Sequence, residues 1–377
     1  MKRGIYLVTE PGCMDPKGGA YQHISVGYRE LSRHFDMKMI APPLPSNLAK
    51  KADQPAISKK KQSNSLMGAL RDIRTFIQNH KNIFRLYKSI KRLSPDFIYE
   101  RSAFLNFQGL MIARLLSIPH FYENNGIAAH FQHSYYYRSI LHKLTLWVER
   151  KAYEASSFVF YVGTWGFYFN SPKRNWMNVE NGIEESLLKS FKDFRRQPGE
   201  KVVVGFIGRL MKHHDPHLLI EAFKLLRSKE KCKLLLIGPN LNEIADGLQG
   251  IVECENIGYI SRDDMPAWLR QIDIGIIPGA EEYLSQMKLF DYAAARAMVI
   301  CPDTINLTHW FSKDEVVFFK KGSAKALADA LEAGVANPSE LIVKGNKIYN
   351  KVSGNFTWIS VFNQKASIIS SKIASNS

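Results

Sequence analysis

Short apolar runs that read as buried strands alternate with stretches of helical period along almost the whole chain. This alternation constrains the fold more than any other feature. Gly4–Thr9 (GIYLVT) is the first such run, followed by a loop carrying Pro11, Gly12, Pro16, Gly18 and Gly19. Ala20–Phe35 then spaces Ile24, Tyr28, Leu31 and Phe35 by four, three and four residues, one face of a helix. Further strands are expected at Lys38–Ala41, Asp96–Glu100, His120–Glu123 and Phe158–Val162, and helices at Asn106–Leu116 and Tyr136–Ala155. Uninterrupted apolar runs suit parallel strands covered on both faces; a one-sided antiparallel sheet would alternate apolar and polar residues. The expected class is α/β.

The pattern stops and restarts. Lys192–Lys201 (KDFRRQPGEK) is charged and broken by Pro198 and Gly199, and reads as a linker. After it come expected strands at Val202–Ile207, Lys233–Ile237, Val252–Tyr259, Ile272–Ile277 and Met298–Cys301, with helices around Leu218–Leu226, Asp263–Arg270, Lys288–Ala297 and Ala324–Ala333. A length of 377 residues, at roughly 100–200 per domain, fits two domains. The expected boundaries are residues 1–195 and 196–355, with a closing helix over 356–377.

Charge narrows the function classes. Lys+Arg is 51 against 35 for Asp+Glu, a net of +16. An acidic partner follows: nucleic acid, an anionic membrane, or a phosphate-bearing substrate. The excess is N-terminal, with 30 basic and 16 acidic residues in 1–200 against 21 and 19 in the remainder. Residues 50–92 alone hold 12 Lys/Arg and two acids, Asp53 and Asp72. In the same segment Leu66, Leu70, Ile73 and Ile77, then Ile83, Tyr87 and Ile90, repeat at helical spacing, a basic amphipathic pattern. It reads either as an anionic-membrane surface or as a stripe packed on the N-terminal domain with solvated charges. Nucleic acid is disfavoured, because no recognition fold or set of stacking platforms accompanies it.

The four cysteines, Cys13, Cys232, Cys254 and Cys301, are too scattered for a disulfide framework and read as reduced thiols of a cytoplasmic protein. The apolar start ends too soon for a signal peptide. The most apolar stretch, Phe158–Phe169, is too short to span a bilayer and contains Gly163 and Gly166.

For phosphate chemistry, neither a G-x-G-x-x-G after a strand nor a G-x-x-x-x-G-K-[ST] is present. Instead Gly205-Phe-Ile-Gly208-Arg209 ends a strand, where glycine admits a ligand to the backbone and arginine offers a forked donor. Pairing of Arg209 with a neighbouring carboxylate is the alternative. Downstream, Lys288 and Asp291 share a face at the start of a helix, where a diphosphate and a ribose could be held. A plain surface ion pair is the alternative there. His213 and His214 are adjacent, point apart and lack a third ligand, so no metal is expected. His130 and His133, beside Tyr135, Tyr136 and Tyr137, read as acceptor-side groups or as aromatic packing.

The string Ser285-x-x-Lys288-Leu289-Phe290-Asp291-Tyr292-x-Ala resembles the S-P-x-K-L-F-E-Y-M-A signature of retaining GT-B glycosyltransferases, the group 1 or family 4-like enzymes that use nucleotide sugars. Eight other segments resemble that family in the same order: Gly18-Gly19, Ile98–Arg101, Pro119–Gly126, Asn181–Ile183, Phe206–Leu210, Leu219–Phe223, Leu234–Pro239 and Asn256–Ile260. The resemblance implies two Rossmann-like domains facing each other across a cleft, with the last helix packing back on the N-terminal, acceptor-binding domain. It implies that Arg209 and Lys288 stabilise the leaving diphosphate of a UDP- or GDP-linked sugar, without a metal or other cofactor. Glu123 and Asn125 take the catalytic-edge position where the family commonly has histidine. Donor contacts are implied for Gly18, Gly19, Gly208, Gly238, Gly258, Tyr259, Ile260, Ser285, Leu289 and Asp291. His214 stands where a lysine is usual, Asp291 where glutamate is, and Tyr283 where the family has its first glutamate, with Glu282 adjacent. The activity implied is transfer to a lipid-linked glycan or polysaccharide intermediate on the inner face of the plasma membrane. The alternatives are a sugar-nucleotide epimerase or hydrolase of the same fold, and a non-catalytic binder of nucleotide sugar or nucleic acid.

Overall fold

A computed structural model describes residues 1–15, 19–43, 65–197, 199–211 and 214–375. Gly18, His213 and residues 50–64 of the basic segment lie outside the described residues. The chain divides into two compact units. The first contains residues 1–43, 65–179 and 359–375, and the second contains 180–358.

The first unit holds a six-stranded sheet: β1 (Arg3–Leu7), β2 (Asp36–Ile40), β3 (Phe97–Arg101), β4 (His120–Asn124), β5 (Phe158–Val162) and β6 (Trp176–Val179). Their spatial order is β2-β1-β3-β4-β5-β6, every pair parallel. The central strands are apolar on both faces, as Ile5, Tyr6, Ile98, Tyr99 and Phe160 show, all fully buried. The second unit repeats the plan with β7 (Val202–Ile207), β8 (Cys232–Ile237), β9 (Glu253–Gly258), β10 (Ile274–Ile276), β11 (Met298–Pro302) and β12 (Val317–Phe319). Its order is β12-β11-β10-β7-β8-β9, again parallel throughout.

Several expectations shift. β6 and β12 were not anticipated; both are short edge strands, mostly half-buried, so neither carries the continuous apolar run that marks the inner strands. The helix expected from Tyr136 begins at His142, because Tyr137 is extended (φ −158°) after a π-turn over Gln132–Tyr136. Lys192–Lys201 does not divide the units. Residues 180–195 already belong to the C-terminal core, where Ile183, Leu188 and Phe191 are buried. Arg196 then fastens the strand entry: it donates to Asp273 and to the carbonyls of Leu269, Arg270, Ala295 and Arg296, while Asp273 accepts from the Val203 amide. The last helix, Trp358–Ala374, belongs almost entirely to the first unit.

The basic segment departs most from a single amphipathic helix. It forms two, Ser65–His80 and Ile83–Leu93. In the second, Ile83, Leu86, Tyr87 and Ile90 pack on the sheet core, as a conventional apolar stripe does. The first is inverted. Its small and polar side docks: Gly68 lies against the Arg138 carbonyl too closely for any side chain, Asp72 accepts from the hydroxyls of Tyr137 (2.8 Å) and Ser139, and Asn79 donates to the Phe104 and Leu105 carbonyls. Its apolar side faces out, with Leu66, Leu70, Ile73 and Ile77 each at least half exposed.

Candidate functional site

Open parallel sheets bind ligands at the carboxyl ends of their strands, where the strand order reverses. In the C-terminal unit that point lies between β7 and β10. Gly208 follows β7, and Gly238 follows β8 with φ +145°, a conformation that favours glycine. A Cβ on Gly238 would overlap the Gly208 carbonyl oxygen, so only glycine lets these strand ends approach. Their amides stay paired, Gly208 to Ile237 O (2.9 Å) and Gly238 to Gly258 O (2.8 Å).

Lys288 reaches this edge from the first turn of the helix Met287–Ala294. The helix is held by Tyr292, whose hydroxyl accepts from the Ile207 amide (2.8 Å) and donates to Gly205 O (3.0 Å). Gly275 makes room for the ring. Tyr292 is thus a positioning residue for Lys288, quoted within the signature string but given no role from sequence. The Lys288 amine is buried beside Gly208 and lies 5.0 Å from the Phe206 ring centroid. It has no hydrogen-bond partner among the described residues, and burial lowers its pKa to about 7. The alternative of a surface ion pair with Asp291 is not formed. Asp291 is itself buried and bonds Arg262 at 2.9 and 3.0 Å. Arg209 is exposed at the rim and makes no ion pair among the described residues.

Other expected donor-side residues divide between open and engaged. Tyr259 is 63% exposed and Ile260 half-buried after β9. His214 Nδ1 lies 3.1 Å from the Arg209 carbonyl, which ties the rim loop to itself. Glu282 is engaged with Lys321 (2.7 Å) and the Ile305 amide (3.3 Å). Ser285 accepts from Asn181 Nδ2 at 2.7 Å, while Leu289 is a core residue. Sequence reasoning passed over Glu180, buried next to Asn181. Burial raises its carboxyl to about 7 against hydrogen bonds from Ser285, the Asn181 amide and Asn306. Tyr283 is half-buried.

In the N-terminal unit the order reverses between β1 and β3. Gly19 opens the helix Gly19–Leu31, which delivers His23 to this edge. Glu123, at the end of β4, is fully buried. It accepts from Tyr99, Lys365 (2.8 Å), Arg101 (3.3 Å) and Asn125 (3.3 Å), with His23 Nδ1 at 3.1 Å. Burial pushes its carboxyl up, but His23, Lys365 and Arg101 outweigh that and hold it well below the usual carboxylate range. The carboxylate implied at the catalytic edge is therefore occupied by internal partners. His130 packs among the rings of Phe131, Trp165 and Tyr168. Among the described residues no group of three or more His, Cys, Asp or Glu could hold a metal ion, and no helix is long and apolar enough to cross a membrane.

Residues 201–337 match the family model described as Glycosyl transferases group 1. No curated protein sequence matches the chain. Among solved structures, sucrose-phosphate synthase from Thermosynechococcus elongatus aligns with TM-score 0.73 at 13% identity, covering 99% of this chain and 100% of that one. A glycosyltransferase from Rickettsia africae gives 0.71 at 14%, covering 100% of both chains. Anabaena HepE in complex with UDP gives 0.69 at 14%, covering 98% and 100%. At such identities the likeness establishes the fold. Residues 201–337 are thus similar to the group 1 glycosyl transferases, within a chain whose whole length shares the GT-B fold of these solved structures.

Proposed function

We propose that the protein transfers a sugar, with retention of anomeric configuration, from a uridine-type nucleotide diphosphate to a glycan or lipid-linked glycan at an anionic membrane. The observation that carries the donor half is Lys288. An amine buried without a hydrogen-bond partner costs free energy unless an anion completes it. This one sits beside Gly208 at the switch point, within the residues similar to the group 1 glycosyl transferases. The diphosphate of the donor supplies the missing charge. As the sugar–phosphate bond breaks, negative charge grows on the leaving oxygen, where Lys288 and Arg209 stabilise it; the same oxygen accepts the proton of the incoming hydroxyl. Preorganised cations at a developing oxyanion are typically worth about 10²–10³ in rate each. HepE, solved with UDP and with UDP-glucose, supports uracil as the base.

The membrane half is supported by the outward apolar face of Ser65–His80, together with the exposed Arg71 and Arg74 of that helix and Lys81, Arg85 and Lys88 after it. Each cation near anionic lipid contributes about 1 kcal/mol, and the exposed aliphatic chains gain a medium to enter.

Two measurements test these halves separately. A thermal-shift series with UDP, GDP and their sugars should show stabilisation by the uridine ligands, about 2.7 kcal/mol at 100 times the dissociation constant. No response to any nucleotide would sink the donor reading. Vesicles of phosphatidylglycerol should float with the protein, and Ile73→Glu with Ile77→Glu should release it. Equal recovery on neutral vesicles, or with the double variant, would sink the membrane reading.

A further inference from the structure

The buried cluster at the carboxyl edge of the N-terminal sheet is not charge-balanced. Glu123 supplies one negative charge, and two basic side chains, Arg101 and Lys365, bond to it. Lys365 is fully enclosed, also facing the Phe362 ring at 4.3 Å. Arg101 is the member that reaches the surface, with 11% of its side chain exposed at the end of β3, next to the β1/β3 switch point. Its bonds to Glu123 and His23 use Nη1 alone. The guanidinium also interacts with the thiol of Cys13 in the turn Pro11–Met14, which in turn donates to Glu10 (3.6 Å). The hydroxyl of Tyr6, fully buried and within electrostatic reach of Arg101, Glu123 and Cys13, has no hydrogen-bond partner among the described residues.

A guanidinium anchored at one nitrogen by a buried carboxylate keeps a fixed orientation, and its free edge offers the paired N–H geometry that carboxylate and phosphoryl oxygens accept. A solitary excess cation in low dielectric also gains more from an anion than one in water does. We propose that Arg101 binds an oxyanion of the acceptor, a phosphoryl or carboxylate group, at the carboxyl edge of the N-terminal sheet. The inference rests on the glycosyltransferase reading above and gives the acceptor its chemical class: a negatively charged sugar or sugar phosphate rather than a neutral glycan terminus. Glu123, Lys365 and His23 position Arg101, and none of the three needs to touch the ligand.

Cys13 provides a local readout that does not require the acceptor to be known. Its thiol is half-buried beside Arg101. The full-length protein, saturated with UDP so that the donor edge is filled, is treated with iodoacetamide, and modification of Cys13 is followed by peptide mass spectrometry. Inorganic phosphate should slow the modification saturably, about tenfold at ten times its half-saturation, whereas sodium chloride of equal ionic strength should not. Arg101→Gln should abolish the protection while the thermal shift with UDP stays as in the wild type. Arg101→Lys retains the pair with Glu123 and loses the fork, so its half-saturation should rise about tenfold, the worth of one charge-assisted bond. It also serves if Arg101→Gln does not fold. Absence of protection in the wild type overturns the proposal, as does protection of undiminished affinity in either variant. A missing UDP shift would instead count against the donor reading alone.

Discussion

The two units place cationic side chains at the same topological position and treat them in opposite ways. At the β7/β10 edge, Lys288 is buried with no carboxylate or carbonyl among the described residues to receive its protons. At the β1/β3 edge, Arg101 and Lys365 share Glu123, and Tyr99 and Asn125 fill its remaining lone pairs. One edge leaves its cation unpaired among the described residues, and the other shares a single carboxylate between two. The difference shows in the pKa values: burial alone carries Lys288 down to about 7, whereas the surrounding cations hold Glu123 ionised despite its burial. A group kept for a ligand should therefore be costly to stability and essential to activity, and a group kept for its neighbours should show the reverse.

The largest expected effect comes at the edge where the carboxylate is shared. Glu123→Gln leaves two buried cations without their counter-charge, and removal of one partner from such a cluster costs about 3–5 kcal/mol, read as a drop in denaturant midpoint. Lys365→Met should cost less, since Arg101 still pairs the carboxylate; an equal loss would show that the pairs are not shared. Next is Lys288→Met, expected to lower turnover by about 10²–10³ while raising the melting temperature of the ligand-free protein. The sign follows from protons. The unfolded lysine titrates near 10.4 and the folded one near 7, so the folded state is penalised fully below pH 7 and progressively less as pH rises to 10.4. The gain from Lys288→Met should be larger at pH 6 than at pH 9. A destabilised variant would break the contrast between the two edges.

A third consequence is proton uptake. At pH 8 Lys288 is mostly neutral without ligand, and a bound diphosphate favours its charged form. Calorimetry of UDP binding in buffers of different ionisation heat should report uptake approaching one proton at pH 8 and little at pH 6. Lys288→Met should bind without it. The smallest effect concerns Glu282, whose partner Lys321 is about as exposed as it is. Lys321→Ala should change stability by less than about 1 kcal/mol. If it also leaves donor affinity intact, the Glu282 carboxylate is not waiting on that pair to be released.

Much of this arrangement was legible beforehand. Apolar runs buried on both faces announced the eight inner strands, because inner parallel strands have no polar face to disguise them, and local patterning also marked the edge strands β2 and β9. Gly208, Arg209 and Lys288 could be picked out because glycine at a strand end and lysine in a first helical turn have few other uses together. The inverted helix Ser65–His80 could not. Its periodicity is that of any amphipathic helix, and the docking of its Gly68 and Asp72 side depends on Arg138, Tyr137 and Ser139, more than 60 residues away. Glu180 and Tyr292 escaped for the same reason, since their partners come together only through the fold.

The sequence by itself determined the two parallel α/β units and singled out Lys288, the cation proposed to hold the donor. These follow from residue type and local spacing, which act over a few residues at a time. Tertiary structure decided which charges are paired, which apolar face is left in water, and that Asp291 answers to Arg262 rather than to Lys288. Charge compensation depends on distances of about 3 Å between side chains brought from separate elements. No local pattern encodes such distances.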